Sequence, residues 1–257
     1  MGVGILENKN LLITGVLTDD SLAFGVAKKA QEEGADLVLT GFGRALSLTQ
    51  RTARKLDPVP EVLELDIANT DHGAAVTEHL RQKWGRVDGA LHSIGFAPAA
   101  CLGDDFFGAT WDDVSVAVQV SAYSLRSLTD IVRPLMTEGG SLVGLTFDAT
   151  VAWPAYNWMG MAKAAMESLN RYLARELGKE QIRCNLVAAG PMRTIAAKSI
   201  PGFATFEEEW VKRAPLGWDV NDSTGVAKAC AALLSDWFPH TTGQIIHVDG
   251  GYSIIGA

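Results

Sequence analysis

The chain has 257 residues, 47% hydrophobic and 20% charged, which is enough apolar material for one large α/β core. A formal charge of −8 and a pI near 5.1 exclude nucleic acid and anionic membrane surfaces as expected partners, since the average surface repels both. Cys101, Cys184 and Cys230 are widely spaced with no C-x-x-C pair, as expected of buried thiols in a reducing cytoplasm and not of a disulfide framework or metal site.

The opening Met1-Gly2-Val3-Gly4-Ile5-Leu6 lacks a basic segment leading into an apolar one, and no apolar run approaches about 18 residues, so neither export nor a membrane span is expected. Short apolar runs then alternate with longer helical patterns, the signature of a parallel sheet covered on both faces. Strands are expected at 10–14, 35–40, 62–65, 89–92, 141–146, 182–187 and 244–248. Helices fall between them. The first spans about Ser21 to Glu33 and stops at Gly34, and another starts near the N-cap candidate Asn69. A helix from about Trp111 to Met136 is long enough to serve between subunits, and one just after Pro154 runs toward Gly178. No linker interrupts the pattern. The expectation is a single domain over residues 1–257, a Rossmann-type doubly wound parallel sheet of about seven strands.

Ligands in such sheets bind at the carboxyl ends of the strands. There the first strand is followed by Gly15 and, six residues on, by Ser21-Leu22-Ala23. This glycine turn into a helix has amides and a positive end that suit a pyrophosphate, although the G-x-G-x-x-G pattern is absent. Asp66-Ile67 ends the third strand, where an acid can accept from an adenine amine, and Ser93-Ile94-Gly95 ends the fourth. Tyr156 and Lys163 stand seven apart, nearly two turns of a helix, so both side chains share a face and can line one pocket. A phenol that donates to an oxygen, beside a cation that holds a sugar, is equipment for nicotinamide chemistry. Alone, such a pair is more often a coincidence of helix spacing.

These segments together resemble the short-chain dehydrogenase/reductases, and within them the NADH-dependent enoyl-acyl-carrier-protein reductases. The likeness spans nearly the whole chain. It is carried by Gly15, Ser21 and Ala23, by His92-Ser93-Ile94-Gly95, by Tyr156-x6-Lys163, by the run Asn185 to Thr194, and by the terminal run Thr242 to Gly251. Most short-chain dehydrogenases space the Tyr and Lys by four, so the gap of seven is the discriminating feature. The stretches Leu39 to Arg44 and Pro154 to Met159 look closest to the actinobacterial, InhA-like branch.

The resemblance implies reduction of trans-2-enoyl thioesters carried on acyl carrier protein or coenzyme A in bacterial fatty-acid synthesis, by a cytoplasmic homotetramer. Tyr156, Lys163 and Phe147 would be catalytic, Phe147 standing where many relatives carry a second tyrosine. For NADH, it implies Gly15, Ser21, Leu22, Phe42, Asp66, Ile67, Ser93, Ile94, Gly95, Lys163, Ala189, Gly190, Pro191, Met192 and Thr194. Phe42 lies against the adenine, Lys163 on the nicotinamide ribose and Thr194 on the pyrophosphate. For substrate it implies Phe96, Tyr156, Met159, Ile195, Ala196, Ile200 and Phe203, the last four in a helical lid over 194–213. That segment also reads as an amphipathic surface helix, and Phe147 as an ordinary core residue. Lys198, Arg193, Lys212 and Arg213 near the lid could meet an acidic carrier. No carboxylate follows Thr40-Gly41-Phe42-Gly43-Arg44, where NAD readers usually have one, so the preference for NADH rests on the resemblance. Two other readings stand beside this one: a ketoreductase of the same fold, whose four-residue spacing would need a tyrosine where Met159 is, and a non-catalytic dinucleotide-binding regulator.

Overall fold

The computed structural model describes residues 4–256; Met1–Val3, part of the stretch read above for a leader, and Ala257 lie outside them. Seven strands form one parallel sheet in the order β3-β2-β1-β4-β5-β6-β7. They are β1 (Asn10–Thr14), β2 (Asp36–Gly41), β3 (Glu61–Glu64), β4 (Gly89–His92), β5 (Gly140–Thr146), β6 (Ile182–Ala189) and β7 (Ile245–Val248). The connecting helices are α1 (Leu22–Glu32), α2 (Arg44–Ala53), α3 (Thr70–Trp84), α4 (Trp111–Val118), α5 (Ser124–Val132), α6 (Asn157–Leu177), α7 (Phe203–Arg213) and α8 (Thr224–Leu234). Chain order reverses between β1 and β4, and the crevice at that point is where this fold class holds dinucleotides.

Alternation along each strand supplies both faces with apolar side chains. Leu11 and Ile13 of β1, Leu37 and Leu39 of β2, and Val143 and Leu145 of β5 pack into one core with α1 and α8. Leu12, Val38 and Leu142 point the other way, into a second core with α3, α5 and α6. Each expected strand is present, with ends displaced by a residue or two. Asn69 caps α3, its Oδ1 accepting from the amides of Asp71 and His72.

Two elements differ from the sequence expectation. The helix expected from Trp111 to Met136 is broken into α4, a π turn over Gln119–Tyr123, α5 and a 3-10 turn at Arg133–Leu135. The π turn brings Ser121 Oγ to the backbone of Phe96, accepting from its N–H at 2.9 Å and donating to its carbonyl at 2.8 Å. Pro134, which lacks an N–H, falls where the α-helix ends. Tyr156 is the second difference. It lies in the turn before α6, between Ala155 and Asn157, both with positive φ of 58° and 48°, and so outside the helix that carries Lys163.

Gly15 turns the chain from β1 toward α1 at φ 85°, and a Cβ there would sit 1.9 Å from the carbonyl oxygen of Ser93. The first and fourth strands can close on each other only around a missing side chain. Gly15→Ala should therefore lower unfolding free energy by roughly 2 kcal/mol or more, read from the urea midpoint. A midpoint within error of the parent would show that the β1 and β4 loops do not meet this tightly.

Candidate active site

The carboxyl ends of the strands bring the expected nucleotide residues into one crevice. Thr14 Oγ1 donates to the carbonyl of Leu91 at 2.9 Å and accepts from the amide of Ser93 at 3.1 Å, which ties the β1 and β4 ends together beside Gly15. Ser21 spends its hydroxyl on the Thr18 carbonyl at 2.6 Å, and α1 begins at Leu22 with no side-chain cap. Phe24 N and Gly25 N donate to the Ser21 carbonyl, so the amides of Leu22 and Ala23, with the positive end of the helix, are the ones suited to an anionic ligand. The loop around Gly15 is held from α2, where Thr49 and Thr52 donate to the carbonyls of Val16 and Leu17 at 2.6 and 2.8 Å.

Further along, the Phe42 ring is 49% exposed and meets His72 edge-on at 6.3 Å between centroids. His72 Nδ1 in turn accepts from the amide of Asp66 at 3.2 Å, and Asp66 Oδ1 accepts from Ala68 N, leaving its second oxygen open. An exposed ring and a carboxylate oxygen on adjacent strand ends form a flat polar-edged slot of the kind an adenine fills. At the other side, Gly190 donates to the carbonyl of Val248 at 2.9 Å, and Trp218 Nε1 donates to that of Pro191 at 2.8 Å, which fixes Ala189 to Met192. Thr194 Oγ1 accepts from Ala197 N at 3.1 Å and keeps its own proton to donate. A cleft of about 70 Å³ lies between Asp19-Asp20 and Met192-Arg193.

Tyr156 and Lys163 are both buried, 7% and 9% exposed. Among the described residues the phenol hydroxyl has no hydrogen-bond partner, and burial raises its pKa well above the usual phenol range, so it stays a neutral donor. Its turn is clamped from outside. Gly103 N donates to the Ala155 carbonyl at 2.9 Å, Asn157 Nδ2 donates to the carbonyls of Gly103 and Asp105, and Trp158 Nε1 donates to that of Phe106. Two left-handed residues flanking Tyr156 cost free energy, and these contacts hold the strain in place. Phe147, at the end of β5, meets the Tyr156 ring edge-on at 5.2 Å.

Lys163 Nζ donates to the carbonyl of Leu145 on β5 at 3.2 Å. Gly144 makes that approach possible: a Cβ there would lie 2.7 Å from Met166 Cε, on the same side of α6 as Lys163. Burial lowers the Lys163 pKa to about 8, opposed by the negative charge of Glu167 one turn on. Glu167 accepts from Ala149 N at 3.2 Å, and its own pKa is raised by burial and by nearby Asp148. His92 is the third buried titratable group here. Ser124 Oγ gives its proton to the Val120 carbonyl, so it accepts from His92 Nε2 at 2.7 Å, and the unprotonated Nδ1 is buried without a partner. Burial and the Lys163 charge push the His92 pKa down to about 3, and the ring is neutral.

On the lid side, Ile200 and Phe203 pack with Phe147, Trp153, Phe206 and Trp210 in one aromatic cluster, whereas Ile195 and Ala196 are exposed. Phe96 is exposed at the β4 end and Met159 half-buried in the first turn of α6. Of the basic residues near α7, Arg193 is taken by a bidentate pair with Glu207 at 2.7 and 2.8 Å, and Arg213 lies over Tyr252 and donates to the Gly256 carbonyl. Among the described residues no three His, Cys, Asp or Glu side chains gather as a metal site. Sequence reasoning missed Ser121, Glu167 and His72. Ser121 sits in a turn whose widening leaves no sequence signal, whereas Glu167 was findable as the residue one turn beyond Lys163.

A seven-stranded parallel sheet in this order, with a glycine turn and a buried lysine near the carboxyl ends of its strands, is of the doubly wound class. Comparison with known proteins is more specific. The model of the family described as "Enoyl-(Acyl carrier protein) reductase" matches residues 15–253. The chain is 50% identical to the NADH enoyl-acyl-carrier-protein reductase of Mycolicibacterium smegmatis, over 97% of this chain and 98% of the relative. It is 46% identical to the protein of the same name from Mycobacterium avium, with the same coverage. With the Neisseria meningitidis serogroup B reductase FabI it shares 40%, over 98% of this chain and 97% of the relative. The chain belongs to the enoyl-acyl-carrier-protein reductase family.

The unfolded chain titrates Lys163 near its ordinary 10.5, so between about 8 and 10.5 it binds more protons than the fold, and this residue's contribution to stability rises with pH. Binding that needs the ammonium runs the other way: NADH affinity should weaken about tenfold between pH 7 and 9, by fluorescence titration. Glu167→Gln should move the midpoint to lower pH. A flat profile across that window in the parent would show that Lys163 charge does not contribute to binding.

Proposed function

We infer that the protein reduces the carbon-carbon double bond of trans-2-enoyl thioesters, using NADH, in the elongation chemistry of fatty-acid synthesis. The carrying observation is the buried phenol of Tyr156, seven residues before Lys163, with no partner of its own and no tyrosine at position 159. When bound, NADH supplies a hydride to the β-carbon of the enoyl thioester, which drives an electron pair onto the thioester oxygen. Tyr156 donates a hydrogen bond to that oxygen as its negative charge develops, and the α-carbon then takes a proton from solvent. Lys163 holds the nicotinamide ribose hydroxyls and keeps its ammonium near the reacting centre.

The first-turn amides at Leu22, with Gly15, Ser21 and Thr194, take the pyrophosphate; Ser93, Ile94, Gly95 and the Ala189 to Met192 segment flank the nicotinamide ribose; Phe42, Asp66 and Ile67 take the adenine. Phe147 shields the reacting carbons, and the segment 194–213 is the lid, with Phe96, Met159, Ile195, Ala196, Ile200 and Phe203 toward the acyl chain. The acyl group arrives on acyl carrier protein or coenzyme A. A cytoplasmic homotetramer is the assembly we propose, supported by the exposed aromatics Trp111, Tyr123 and Tyr172 on α4, the π turn and α6. The net charge of −8 supports the absence of nucleic-acid and membrane partners, and no helix among the described residues is long and apolar enough to cross a membrane.

The test follows NADH and NADPH oxidation with a trans-2-enoyl thioester and, separately, a 3-oxoacyl thioester. Oxidation of NADH with the enoyl substrate is expected, and turnover of the oxo substrate alone would overturn the reading. Tyr156→Phe removes one hydrogen bond to a charged oxygen and should lower kcat roughly 10- to 100-fold, with the NADH dissociation constant little changed. Full activity in that variant would remove Tyr156 from the chemistry.

A further inference from the structure

The side of Tyr156 that faces α7 is walled by rings. Phe147 meets Tyr156 at 5.2 Å between centroids, and Trp153 lies 5.2 Å from Phe147 on the far side. Trp153 also meets Trp210 at 5.2 Å and Phe206 at 6.0 Å, both from α7. The two indoles are tied to backbone of different segments. Trp153 Nε1 donates to the Asp148 carbonyl at 2.6 Å, and Trp210 Nε1 donates to the Asp249 carbonyl at 3.1 Å, its ring stacked on Tyr252 at 3.7 Å. Trp210 is buried and cannot swing aside without leaving its donor unpaired, and Trp153 would give up its hydrogen bond and its ring contacts.

Resting on the functional reading above, we propose that Trp153 is a chain-length stop, closing the acyl path one ring beyond the reacting centre and making this enzyme selective for short 2-enoyl chains. An open apolar channel gains roughly threefold to fourfold in affinity per added methylene. A channel that ends on Trp153 gains nothing past the first few carbons. Longer chains must displace an interlocked ring set in which every pair contributes packing. Trp153 enters this wall from the β5–α6 loop and not from the lid, so lid movement alone does not open the path.

The experiment measures kcat/KM with four-carbon, eight-carbon and sixteen-carbon trans-2-enoyl coenzyme A thioesters. The parent should lose at least tenfold from the four-carbon to the sixteen-carbon substrate. Trp153→Ala should raise the sixteen- to four-carbon ratio by tenfold or more. Trp153→Phe, which keeps an aromatic ring in the cluster and so guards against loss of folding, should raise it by a smaller factor. A parent that turns over sixteen carbons as well as four, or a ratio unchanged in both variants, overturns the stop while leaving the reductase reading intact. No oxidation with any enoyl chain overturns both.

Discussion

The structure depends on an ammonium group held out of water. Lys163 is buried beside the carboxyl end of β5, with one hydrogen bond, to the Leu145 carbonyl, and a carboxylate one turn away in place of a direct ion pair. Removing a charge from water is costly unless its donors are satisfied, and one carbonyl leaves donor capacity unused. Much of the surrounding sequence makes sense as provision for that group. Gly144 lets α6 approach the sheet, Glu167 favours the charged form and holds the Ala149 amide, and His92 stays neutral so that no second cation competes.

Tyr156 is a second buried polar side chain at the site, and it is held by different means. Lys163 rides on a regular helix, whereas Tyr156 is set by a strained turn clamped through Gly103, Asn157 and Trp158 and backed by Phe147. The phenol thus stands on a turn and the ammonium on the helix that follows it. Burial dominates the titration of the phenol and keeps it protonated. A protonated phenol donates to an oxygen as charge develops and need not surrender its proton to the ketone carbon chemistry of the four-residue relatives.

The sheet, its order of elements and the gathering of the candidate nucleotide residues at the strand ends were legible in the sequence because they rest on local patterning: alternating apolar runs, a glycine after β1, and motif runs at strand ends. What was not legible is tertiary. The π turn at Gln119–Tyr123 exists because Ser121 reaches across to Phe96, a contact with no trace in hydrophobic periodicity. His72 belongs to none of the motif runs, and the structure joins it to Phe42 and to the amide of Asp66. Tyr156 looked helical by spacing, but positive φ on both sides of it, at Ala155 against that residue's own preference and at Asn157, which tolerates it, takes it out of the helix. The basic residues near α7 looked available for a carrier, yet Arg193 is consumed by Glu207, which lies on the next helix.

The account stands on hydride arriving at the β-carbon while Tyr156 supports charge on the thioester oxygen. Turnover of a four-carbon trans-2-enoyl thioester with NADH carrying deuterium at both C4 positions, followed by mass spectrometry of the acyl product, locates that hydride. Deuterium is expected at the β-carbon alone, with the α-carbon hydrogen drawn from solvent. Deuterium at the α-carbon would contradict the assignment of an enolate stabilised by Tyr156.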